Sequence, residues 1–134
     1  MRAPVPAALD AASILIFVGI GRSVHADGAS VGGLASTAWP FLFGAGLGWI
    51  AARTWRRPAG LVPGGAVVWL ACVGLGMVLR VLAGQGTAVA FVVVALAFLG
   101  AELLGWRALA LAVATRRSRG RELAASSTPR RAER

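Results

Sequence analysis

Four stretches of this chain are continuously apolar, at about 7–24, 34–52, 66–82 and 87–114, and each reads as a membrane-spanning helix. Crossing the hydrocarbon core takes about 20 residues at a rise of about 1.5 Å each. Lipid offers no hydrogen bonds to backbone amides, so only helices and closed barrels cross it. Barrel strands alternate apolar and polar positions; these stretches do not, which makes them helical. The links between them are short, and short links make successive helices antiparallel neighbours. The expectation is an all-α, up-down bundle of four transmembrane helices within residues 1–114. Residues 115–134, rich in arginine, serine and alanine, are expected to form a solvated, disordered tail.

Charge placement sets the orientation. The chain has 134 residues, 57% of them hydrophobic and 14% charged, too few charges to coat a soluble domain of this size. All 14 basic residues are arginine and stand against five acids, for a net charge of +9. In a soluble chain that balance suggests nucleic acid. Here the arginines mark the ends of apolar runs, as cytoplasmic flanks do, so the partner is the lipid bilayer and not nucleic acid. With the N-terminus inside, Arg2, Arg53, Arg56, Arg57 and the arginines of the tail are cytoplasmic, and Arg22 and Arg80 lie outside. Both termini are then cytoplasmic, and Arg107 is expected to snorkel inward to that face. A signal peptide ending near Val24-His25-Ala26 is the rival reading of the first stretch; Asp10 and Arg22 fit it poorly.

The polar residues inside or beside the apolar runs are where chemistry can occur. At the outer end, Arg22 and His25, Thr37, Arg80, Gln85 and Thr87 are expected to meet, with Trp39 nearby. Two guanidiniums there suit an anionic or polar solute through bidentate hydrogen bonds, and an imidazole adds a titratable charge. The blander reading is that these groups only anchor the bundle among the headgroups. Pro40 frees a backbone carbonyl one turn earlier, which either kinks the second helix or offers an acceptor.

Two acids lie within the apolar runs, Asp10 and Glu102. Asp10 reads as a helix N-terminal cap or as a carboxylate facing a polar vestibule. Glu102 reads as one half of a salt bridge, with an arginine of the 53–57 link as partner. Small residues at fourfold spacing, Gly44 and Gly48 in the second run and Ala97, Ala101 and Gly105 in the fourth, read as helix-packing faces. The glycine face of the second helix is the expected seam of a homo-oligomer. No catalytic motif, cofactor loop or metal-ligand set is present: one cysteine and one histidine cannot build the usual sites. Cys72 reads as a small buried hydrophobe. Three functions remain in view: a small transporter or channel-like protein with an outer anion cup, an accessory membrane component that holds lipid headgroups or a partner, and, least supported, an enzyme.

Several of these stretches occur together in a known order: Asp10, then LIFVGIGRSVH (15–25), TAWPFLFGAGLGW (37–49), GMVLRVLAGQGTAVAFVVVALAFLG (76–100) and GWRAL (105–109). On them the chain resembles the small bacterial and archaeal membrane-protein family known as domain of unknown function 3054. The resemblance covers roughly residues 8–110 and implies a polytopic helical protein in a prokaryotic plasma membrane, with no assigned activity. It implies that Asp10, Arg22, His25, Pro40, Arg80, Gly86 and Thr87 matter, and that an apolar residue is expected where this chain has Glu102.

Overall fold

The computed structural model describes residues 2–24 and 30–127. Four α-helices make up almost all of it: α1 (Pro4–Val24), α2 (Val31–Ala51), α3 (Ala66–Leu82) and α4 (Val89–Ser126). All four are long and apolar enough to cross a membrane, and the described residues contain no strand. Each boundary has a local cause. Pro4 opens α1, where a missing amide hydrogen is harmless. Ser30 caps α2, its hydroxyl accepting from the Gly33 amide at 3.1 Å. Gly84, at φ +71°, stops α3 in the left-handed region that glycine tolerates best.

The helices close into a ring, with α1 against α2, α2 against α3, α3 against α4 and α4 back against α1. The start of α1 meets the end of α2, and the end of α1 meets the start of α2 and the end of α3. That pattern is the up-down arrangement that the short links imply. The core runs through Ile14, Phe17, Phe41, Val68, Cys72 and Leu99, all buried. Phe17, Phe41, Phe91 and Phe98 form an aromatic layer toward the end of α1 and the start of α4, with ring centroids 5.6–6.2 Å apart.

Small residues do bring helices together, and within the chain, at the α2 glycines where a seam to a second copy was expected. A side chain at Gly44 would lie 2.6 Å from the Ala71 carbonyl, and one at Gly48 would lie 2.8 Å from the Val68 Cα. Gly44 and Gly48 are therefore taken up within the chain, letting α3 approach closely. Pro40 is buried in the same helix. In α4 the expected face does not pack within the chain. Ala97, Ala101 and Gly105 are exposed, and nothing lies within 4 Å of a side chain built at Gly105. The buried stripe is Ala95, Leu99, Leu103 and Arg107. A helix apolar on every side does not announce its inner face by hydropathy; here Arg107 sets it, by turning toward Asp10.

The fourth helix also outruns its expected end, continuing as an exposed helix from Thr115 to Ser126. That segment consists largely of arginine, alanine, leucine and glutamate, which extend a helix already nucleated by the bundle. The rest of the tail lies outside the described residues, as does His25.

Candidate functional site

Polar side chains gather at two opposite ends of the bundle. At the first, Asp10 and Arg107 face each other in the core, 2% and 0% exposed. Arg107 Nη1 donates to Asp10 Oδ1 and Nη2 to Oδ2, both at 2.7 Å. The indole of Trp106 donates to Oδ1 at 2.9 Å, and that of Trp49 donates to Oδ2 at 2.8 Å. Each carboxylate oxygen thus accepts one guanidinium and one indole hydrogen bond. Arg107 Nη1 also donates to the Leu103 carbonyl at 2.7 Å, and its guanidinium lies 4.3 Å from the Trp106 ring centroid. The arginine reaches this position across Gly65, where a side chain would come within 2.7 Å of its Cδ.

This arrangement corrects two expectations. Asp10 neither caps a helix nor faces a vestibule; it is neutralised in a closed, bidentate ion pair. Arg107 does not snorkel toward the membrane surface, because a buried carboxylate at the same depth draws it inward. A third correction concerns Glu102. It is half-buried, pairs with no arginine among the described residues, and its Oε2 accepts no hydrogen bond. The arginines of the 53–57 link are exposed instead.

The other end is open. Arg22 of α1 donates to the Thr37 hydroxyl of α2 at 3.2 Å. Its guanidinium lies over Gly33, a position any side chain would obstruct. Arg80 of α3 donates to Gln85 Oε1 at 2.9 Å and to the Gly86 carbonyl at 2.9 Å from Nη2. Its guanidinium also stacks on Phe91, 4.6 Å from the ring centroid. Gln85 in turn donates to the Ser36 carbonyl at 2.9 Å. That carbonyl stands one turn before Pro40, which has no amide hydrogen to give it, so the proline supplies the acceptor that ties the α3–α4 turn to α2.

Arg22, Thr37 and Arg80 line one cavity of about 520 Å³, floored by Phe17, Phe91 and Val94. Of the residues expected at this end, the structure brings together Arg22, Thr37, Arg80 and Gln85. Thr87 is half-buried and does not line the cavity, although its neighbours Gly86 and Ala88 do. Trp39 is 42% exposed and does not line it. Arg80 pairs with no carboxylate among the described residues; its charge is held by neutral acceptors and an aromatic face.

Sequence reasoning missed the tryptophans and the Arg107 partner of Asp10. The signal was available in helix lengths. Counted at 1.5 Å per residue from the Arg80 end, Asp10, Trp49, Gly65 and Arg107 all lie roughly 21–27 Å down their helices. Among the described residues, no group of acids, cysteines and histidines suits a metal ion.

A family model described as protein of unknown function (DUF3054) matches residues 7–110, the whole bundle up to the Asp10–Arg107 pair and just past it. No curated protein and no solved structure matches the chain.

Proposed function

The chain belongs to the DUF3054 family of unknown function, and from that premise we propose that it is a membrane protein that binds an anionic group at the Arg80 end of its bundle. The observation that carries this reading is the convergence of Arg22 and Arg80, from different helices, on one cavity with an aromatic floor. The Arg80 guanidinium, held by neutral acceptors, keeps its charge for an incoming carboxylate or phosphate. The floor of Phe17, Phe91 and Val94 suits an apolar body attached to that anion, whether a small amphiphilic solute or a lipid.

In this reading the Arg80 end faces outward, and both termini lie inside a prokaryotic plasma membrane, following the arginine bias. Conduction is not the favoured activity. The phenylalanine layer stands between the cavity and Asp10, and Asp10 is itself closed by Arg107. A transporter would have to part both. The accessory reading, in which the cavity holds a lipid headgroup or a partner, gains from its position between α1 and α4 near the end of the span.

The test is thermal protection of the purified protein in neutral micelles by a panel of carboxylates and phosphates bearing short apolar groups. Protection that depends on the anion and disappears in Arg80→Leu is the expected result. Protection retained in that variant, or absent throughout in the wild type, removes the cup.

A further inference from the structure

We propose that the link between α2 and α3 is a second, separate anion site, at the opposite end of the bundle, that seats the phosphate of an anionic phospholipid. After α2 the backbone turns through Arg53, in the left-handed region at φ 47°, into a tight turn at Thr54–Arg56. That path wraps a cavity of about 380 Å³ lined by Arg53, Thr54, Arg56, Arg57, Gly60 and Gly64, among others. Three guanidiniums from five consecutive positions border one space, and none of them pairs with a carboxylate among the described residues.

Arginines at a membrane flank are ordinary; the hydroxyl beside them is not. Thr54 is 2% exposed, belongs to the same lining, and its Oγ1 has no hydrogen-bond partner. A buried hydroxyl left unbonded is destabilising, and folded proteins rarely tolerate one. A phosphate oxygen in the cavity supplies the missing acceptor while the guanidiniums neutralise its charge.

The surroundings distinguish a lipid from free phosphate. Trp55 is 49% exposed and Val62 is 77% exposed, on the same link, at the end of two membrane-length helices. An outward indole beside guanidiniums is the composition of the headgroup level, and Val62 extends it with an apolar contact. A soluble phosphate uses neither residue.

The experiment uses the full chain in neutral micelles containing phosphatidylcholine, with phosphatidylglycerol or inorganic phosphate added. Native mass spectrometry counts retained lipid, and thermal unfolding reports protection. Wild type is expected to retain phosphatidylglycerol over phosphatidylcholine. The double variant Arg56→Gln with Arg57→Gln is expected to weaken that binding about 25-fold, roughly fivefold per basic residue at an anionic surface. Thr54→Val is expected to weaken phosphatidylglycerol binding yet melt no lower than wild type in phosphatidylcholine alone, because the orphaned hydroxyl is gone. Arg80→Leu is expected to leave this lipid in place, so failure of the outer cup and failure of this site are read separately. Equal retention of both lipids by wild type, or unchanged binding in the double variant, overturns the site. Protection by inorganic phosphate equal to that by the lipid overturns the lipid assignment. Lower melting of Thr54→Val without anionic lipid shows that the hydroxyl already serves the fold, and removes it from the site.

Discussion

Asp10→Ala removes the carboxylate on which four hydrogen bonds converge and leaves the fully buried Arg107 without a counter-charge. Breaking a buried pair from one side costs about 3–5 kcal/mol, since the remaining charge cannot reach water. The stranded indoles of Trp49 and Trp106 push the figure toward the upper end of that range. Against a total stability of about 5–15 kcal/mol, this is a severe loss. Replacing both partners, Asp10→Leu with Arg107→Leu, removes the uncompensated charge and leaves chiefly the two indoles unbonded, for a loss of about 1–3 kcal/mol. The signature is therefore a double variant about 2 kcal/mol more stable than the single one. Equilibrium unfolding in mixed micelles by a denaturing detergent, followed by tryptophan fluorescence, measures both. A single variant within about 1 kcal/mol of wild type, or a double variant no more stable than the single one, refutes the view that the pair closes this end of the bundle.

Other substitutions probe the packing. Gly48→Leu is expected to lose at least about 1–3 kcal/mol by forcing α2 away from α3, whereas Gly105→Ala, on the open face of α4, is expected to gain up to about 1 kcal/mol from helix propensity; thermal melts in one detergent compare them. Glu102→Leu removes a half-buried carboxyl whose Oε2 has no bonding partner, and is expected to raise stability by about 1 kcal/mol or more. A drop in its melting temperature reveals an ionic partner for Glu102. Gln85→Leu leaves the Ser36 carbonyl and one Arg80 donor unbonded; it is expected to cost about 1–3 kcal/mol and to weaken anion protection at the cup, both read in the same melts.

The fold was legible because lipid imposes it. Four continuous apolar runs with short links leave little besides an up-down helical bundle. The cup was legible in part for the same reason: Arg22, Thr37, Arg80 and Gln85 stand at helix ends, and an antiparallel order delivers those ends to one face. Rotations about the helix axes were not legible. Hydropathy distinguishes inside from outside only when the outside is polar, and around α4 every face is apolar. Ala97, Ala101 and Gly105 were therefore credited with the packing that Ala95, Leu99 and Leu103 perform. The partner of Asp10 was hidden by sequence distance, since the two residues stand 97 positions apart. Depth counting from a shared end, and not spacing along one helix, is what recovers it.

The account depends most on four crossings with the arginine-rich end inside. Single cysteines at Ala59, before α3, and Ala83, after it, test this directly, because Cys72 is buried and leaves little background. In intact cells an impermeant maleimide is expected to label Ala83→Cys at once and Ala59→Cys only after permeabilisation. Labelling of both in intact cells, or the reverse order, contradicts the orientation on which every role assigned to the two ends relies.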